Sequence, residues 1–155
     1  MKGKWLLLIL LVVPWLTLVK MDRHTFKRYL PVLTFSSLVI ALISELSHKF
    51  TWWKVKTPLF PSLASDISFL FGPFFVINLW IFKFTFGRFW LYLSSNIVLD
   101  YLFAYPLTSL AEKLKVYRMV NMTRLQLFLL SVGTSVLNYG YQWFLNDMMR
   151  SKSPK

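Results

Sequence analysis

The sequence predicts an all-α, polytopic membrane protein, a bundle of about five transmembrane helices, and three observations predict it. Hydrophobic residues make up 56% of the 155-residue chain and aromatic ones 19%, far above a soluble average. The apolar residues fall into five runs that approach the roughly 20 residues needed to cross a bilayer as a helix. The basic residues, 18 against 6 acidic, lie almost entirely between those runs, with tryptophan and tyrosine clustered at the same edges. That placement suits anionic headgroups and an aromatic belt. The expected spans are residues 5–19, 30–46, 67–86, 89–110 and 125–145. They form a single transmembrane domain over residues 1–155, because a bundle this small has no room for a second core.

The first run follows two lysines, Lys2 and Lys4, and covers 15 residues rich in leucine. A basic start with a short apolar run also outlines a secretory signal. No small-x-small site occurs between Pro14 and Val19, and the run ends on Lys20, so a retained helix is expected. It spans only about 22 Å and relies on its flanks or a thinned bilayer. Pro14 is expected to kink it or loosen its last turn.

Residues 20–29 form a polar connection with four basic residues. The second run carries Pro31 in its first turn, where the missing N–H is harmless. Ser36, Ser37 and Ser44 can bond back to their own helix, and Glu45 can reach the interface from the last turn. The long connection over residues 47–66 holds Trp52 and Trp53 beside Lys49, Lys54 and Lys56. Trp52, Trp53, Lys54 and Lys56 are the expected interfacial anchors, lying in the headgroup layer. Pro58 and Pro61 prevent a continuous helix, and Asp66 can cap the third span.

In that third span Gly72-Pro73 is expected to bend the helix, Asn78 lies near the middle, and Lys83 can snorkel outward. Only residues 85–88 separate it from the fourth span, so these two helices are antiparallel neighbours. The stretch 111–124 carries Lys113, Lys115, Arg118 and Arg124. Leu110, Leu114 and Tyr117 share a helical face there, which predicts that part of the stretch is a short interfacial helix. The fifth span has Gly133 and Gly140 seven apart on one face, where another helix can approach closely. The tail from residue 146 is polar and expected to fray.

Five spans place the termini on opposite sides. The positive-inside rule does not decide which, because nine Lys and Arg residues fall on each side. The first helix has two basic residues before it and four after it, which favours an outside amino terminus and an inside carboxyl terminus in a plasma membrane.

Depth along the helices picks out a candidate site. Asn78, Asn96 and Asp100 lie about 12, 10 and 16 Å below the tight turn that joins spans three and four. Asn138 enters the same central slab from the opposite face. A carboxylate at that depth costs about 3 kcal/mol on insertion scales. No Lys or Arg lies there to pair with it, so Asp100 is expected to be protonated or to share a hydrogen bond with an Asn amide. The ordinary reading of Asp100, Asn96, Asn78 and Asn138 is interhelical glue. The sharper one is a site for a solute, ion or proton, and a third is a buried contact to another membrane protein.

Catalysis is not expected. The chain has no cysteine, which removes thiolate chemistry, Cys-ligated zinc and iron–sulfur centres. Glu45-x-x-His48 and His24 with Asp22 are isolated and lack a third metal ligand. Ser94 and Ser95 have no His or Lys at membrane depth to activate them, and Asp100 has no second carboxylate beside it. No metal or cofactor is expected. Nucleic acid is not an expected partner either, since the basic residues sit where lipid headgroups would be.

The motif FKRYLP at residues 26–31, the Trp52-Trp53 connection leading to Pro58-Leu59-Phe60-Pro61, and the closely coupled third and fourth spans resemble a family of small, roughly five-span membrane proteins of spore-forming Gram-positive bacteria. The resemblance implies a bacterial plasma membrane and no particular activity. The function expected is that of a non-enzymatic membrane protein acting through assembly with itself or another membrane protein. The alternative is a small transporter or channel subunit whose Asp/Asn cluster takes a solute or proton.

Overall fold

A computed structural model of the chain describes residues 2–56 and 70–151. The described residues are mostly helical, 85%, in five helical rods, which is an all-α architecture. Helix α1 covers Lys2–Thr17 and closes in a 3₁₀ turn, Leu18–Lys20. Helix α2 runs Arg23–Phe50 and strand β1 follows at Trp53–Val55. A distorted turn, Leu70–Phe74, leads into α3, Phe75–Thr85. The fourth rod comprises α4 at Phe89–Leu102, a π-helical turn at Phe103–Leu107 and α5 at Thr108–Lys113. Strand β2 at Tyr117–Met119 precedes α6, Arg124–Ser151.

Local chemistry accounts for the boundaries. Asp22 caps α2 by accepting from the Thr25 N–H at 2.8 Å. Thr123 and Gln126 form a reciprocal capping box before α6: the Thr123 N–H donates to Gln126 Oε1 at 2.9 Å and the Gln126 N–H to Thr123 Oγ1 at 3.2 Å. Gly87, at φ +92°, makes the reversal between α3 and α4, a backbone conformation that L residues with a Cβ rarely adopt. Gly72 is non-helical (φ −90°, ψ −108°) and sits before Pro73, the bend expected at this dipeptide.

Of the expected spans, one corresponds to a helix long and apolar enough to cross a membrane by length and composition, Arg23–Phe50, among the described residues. Leu11–Lys20 and Phe71–Thr85 are shorter apolar helices. Pro58, Pro61, Asp66 and the start of the third expected span lie outside the described residues.

Two local expectations are corrected. The short helix expected in part of 111–124 stops at Lys113, short of Leu114 and Tyr117, because Lys115 adopts the left-handed conformation (φ 56°) and turns the chain out of α5 into β2. Strand β2 then pairs antiparallel with β1, Trp53 opposite Met119, Lys54 opposite Arg118 and Val55 opposite Tyr117. The tryptophan connection is therefore a strand of a small ribbon, which Asn121 ties to the end of α2 by donating from Nδ2 to Phe50 O at 3.3 Å. Among the described residues of the chain, no helix makes a close approach at Gly133 or Gly140. Both are exposed on the outer side of α6, and a Cβ at either would meet nothing within 4 Å.

The core joins α2, α3, α4 and α6 through a chain of packed rings, the first pair stacked and the others tilted. Phe82 lies 5.5 Å from Tyr29 and 5.0 Å from Tyr92, and Tyr92 lies 4.9 Å from Tyr139, all between centroids. Tyr92 and Phe82 are fully buried, as are Leu33, Val32 and Leu79 around them. Helix α1 docks on α3 by two tryptophans: Trp15 Nε1 donates to Phe71 O at 2.7 Å and Trp80 Nε1 to Thr17 Oγ1 at 3.1 Å. At the same end Lys83 reaches Asp22 at 3.5 Å.

The Thr25 backbone N–H and hydroxyl, with Lys83 beside them, hold the exposed Asp22 carboxyl at about 2, below its ordinary 3.8. The folded value is the depressed one. The stabilisation is therefore complete above about pH 5 and lost as the pH falls towards 2. Thermal melts should show the native chain losing stability relative to Asp22→Asn between about pH 5 and pH 2. Parallel pH profiles would contradict this.

Candidate polar site between the helices

The inward faces of the helices are polar to an unusual degree. Ser36, Ser37, Ser44 and Ser47 of α2, Asn78 and Thr85 of α3, Asn96 of α4 and Thr134, Ser135, Asn138 and Gln142 of α6 are all buried. The four sequence-predicted residues divide among three places rather than forming one cluster.

Asn96 and Asp100 come together. Ser135 Oγ approaches Asn96 Oδ1 at 3.1 Å and Asp100 Oδ2 at 3.4 Å, so two acceptors one turn apart on α4 share the single hydroxyl proton of one serine of α6. Asn96 Nδ2 donates to Tyr92 O at 2.8 Å, and the Tyr92 hydroxyl donates to Ser135 O at 2.9 Å. The partner of Asp100 is thus a hydroxyl shared with Asn96 rather than an Asn amide. Asn96 is buried, whereas Asp100 is half-buried on a flank where Val98, Leu99 and Tyr101 are exposed.

Asn138 belongs to a different contact. Its Nδ2 donates to Ser36 Oγ at 2.7 Å and joins α6 to α2. Asn78 bonds within its own helix, donating from Nδ2 to Phe74 O at 2.9 Å. Ser94 and Ser95 likewise bond back to Trp90 O and Leu91 O, the ordinary use of a serine in an apolar helix.

Sequence reasoning missed Tyr92, Ser135 and Gln142. Tyr92 and Ser135 lie in apolar stretches and read as core and filler. Gln142, fully buried, finds no hydrogen-bond partner for either amide atom, and the same holds for Asn138 Oδ1 and Ser37 Oγ. Gln142 stands one turn after Asn138, a helical spacing of polar residues that was legible in the sequence.

The other candidates stay apart. Trp52 and Trp53 are half-buried, while Lys54 and Lys56 are exposed on the ribbon, a position compatible with anchoring. Glu45 and His48 are exposed on the last turns of α2. No group of three or more His, Cys, Asp or Glu side chains gathers among the described residues. A second polar knot ties the ribbon to the helices. Arg124 donates to Glu112 Oε2 at 3.0 Å and to Ser109 Oγ at 2.7 Å, and Glu112 Oε1 accepts the Met119 N–H at 3.1 Å.

Comparison of the chain with family models, curated proteins and solved structures finds no match. The resemblance carried by the interfacial motifs gains no support from it.

The geometry separates the roles of these side chains. Ser135→Ala removes the donor of both Asn96 and Asp100 and should cost about 1–3 kcal/mol, against less for Thr134→Ala, whose hydroxyl bonds to its own helix at Leu130 O. Gln142→Met should be neutral or stabilising, by up to about 3 kcal/mol, because the amide it removes is buried without a partner. Denaturation of the purified variants measures both, and a large loss in Gln142→Met would mean that the amide has a partner in solution.

Proposed function

We propose that the chain is a five-span, multi-pass protein of the plasma membrane, non-enzymatic, that works by assembling with a second membrane-embedded helix, from its own copy or another protein. The observation that carries the membrane part is the inversion of the usual distribution. Serine, threonine, asparagine and glutamine line the inside, while Leu38, Leu42 and Leu46 of α2, Ile97, Val98 and Leu102 of α4, and Leu125, Leu129, Val136, Leu137 and Phe144 of α6 are exposed. Water would penalise that much contiguous apolar surface, whereas lipid chains penalise instead any polar group left facing outward.

The same inversion accounts for the single helix that passes on length and composition. Helix α6 has 28 residues, but its polar inner stripe lowers its average apolarity. The fourth rod runs from Phe89 to Lys113, about 37 Å if straight, yet the π-turn at Pro106 divides it into short pieces.

Assembly is supported by Asp100. Its carboxyl lies near the middle of that rod, half-exposed on an apolar flank, with one long hydrogen bond at 3.4 Å. A carboxyl at that depth is costly, and a donor from a neighbouring helix lowers the cost. Gentle extraction from the native membrane followed by mass spectrometry should recover a stable partner or homo-oligomer. Asp100→Leu should release it as monomer without loss of the monomer's own stability. Recovery of the native chain as a monomer, or an Asp100→Leu complex that persists, would overturn the assembly reading.

Topology has its own test, because the chain has no cysteine. With the amino terminus outside, Lys54→Cys and Lys115→Cys should react with an impermeant maleimide on intact cells, and Arg88→Cys and Asp147→Cys only after lysis. Reaction of all four from one side would exclude five spans.

A further inference from the structure

At the elbow between the 3₁₀ turn after α1 and the first turns of α2 lies an open cleft of about 320 Å³, lined by Leu18, Met21, Arg23, Phe26 and Lys27. We propose that it holds the headgroup of an anionic phospholipid, with Arg23 and Lys27 on the phosphate and the apolar residues under the glyceryl and first acyl carbons. The inference rests on the membrane reading above and assigns one lipid-specific site within it.

Two features of the cleft point to this occupant. Arg23 and Lys27 are four residues apart on one helical face, so their charged ends converge on the same volume. Both are exposed, and the ion pairs among the described residues involve neither: Asp22, the adjacent acid, is taken by the Thr25 N–H and by Lys83. The cleft is therefore a pair of uncommitted cations over an apolar floor. Leu18, Met21 and Phe26, all half-buried, pack against the helix core and make that floor. The apolar surface does not stop at the rim. Leu16 and Val19 of the α1 end and Leu30 of α2 are exposed and continue it along the protein, which suits acyl chains and gives a free phosphate nothing to contact. With the carboxyl terminus inside, the cleft faces the cytoplasmic leaflet, whose surface carries negative charge.

The test delivers phosphatidylglycerol or phosphatidylcholine to the full-length protein in detergent and counts bound lipid by native mass spectrometry. Two basic residues at about 1 kcal/mol each predict roughly a 30-fold preference for phosphatidylglycerol. Arg23→Gln with Lys27→Gln should bring the two lipids close to equality. Lys54→Gln with Lys56→Gln, which removes the same charge from the ribbon, should leave the preference intact. Equal loss in both double variants, no preference in the native chain, or full displacement of the lipid by excess inorganic phosphate would each overturn the proposal. Alkaline carbonate extraction of the same membranes keeps the two readings apart. Protein that stays in the pellet without a headgroup preference loses only the cleft, whereas protein released to the supernatant loses the membrane reading itself.

Discussion

Helices α2, α3, α4 and α6 bury polar side chains on the faces that meet their neighbours and carry exposed apolar side chains elsewhere, and the packing follows from that constraint. The pairs that join α6 to its neighbours are hydrogen-bonded, Ser135 with Asn96 and Asp100 on α4, and Asn138 with Ser36 on α2. Small hydroxyl and amide side chains allow close helix contact and give each contact a preferred register, which dispersion alone does weakly. The packed rings of Tyr29, Phe82, Tyr92 and Tyr139 close the end nearest the α3–α4 turn. Tyr92 takes part in both systems, since its ring packs among these rings while its hydroxyl reaches the backbone of α6.

The two interruptions of helix geometry are placed where they serve this arrangement. At Phe103–Leu107 a π-helical turn accommodates Pro106, whose missing N–H would otherwise leave a carbonyl unmet. The Thr108 hydroxyl donates to Phe103 O at 2.8 Å and the Ser109 hydroxyl to Tyr105 O at 2.8 Å, so side chains add to the backbone bonds around this turn. Beyond this turn α5 brings Ser109 and Glu112 to Arg124, and the start of α6 is thereby tied to the end of the fourth rod. Thr51 and Lys115, both left-handed at φ 52° and 56°, turn the chain into the two strands of the ribbon. The strands then hold the ends of α2 and α5 at one end of the bundle.

The two ends of the bundle differ in chemistry. One carries the ribbon with Lys54, Lys56 and Arg118 exposed. At the other, Asp22 pairs with Lys83, Arg28 lies over the rings of Tyr29 and Phe86 and donates to Asn146 at 3.1 Å, and Arg23 and Lys27 remain at the rim of the cleft. Among the described residues each end therefore has one ion pair, Arg124 with Glu112 beside the ribbon and Lys83 with Asp22 opposite, and differs in what surrounds it.

Much of the architecture was legible in the sequence. Apolar runs of helical length, the Gly72-Pro73 bend, the short turn after Thr85 and the pairing of Asn96 with Asp100 one turn apart all follow from composition and helical periodicity, which are local properties. Asn78, Asn138 and Asp100 could be placed at one depth from residue counts, but depth along an axis says nothing about rotation around it. Only the packing of α4 and α6 decided that Ser135 would bridge Asn96 and Asp100, that Asn138 would face α2, and that Asn78 would turn back on its own helix. The ribbon was hidden for a related reason. Three-residue strands carry too little periodicity to register, and their pairing joins residues more than sixty positions apart. The sequence by itself determined an all-helical chain with polar residues at its helix centres; the tertiary structure decided which of them meet, because that depends on the rotation and register of each helix against its neighbours.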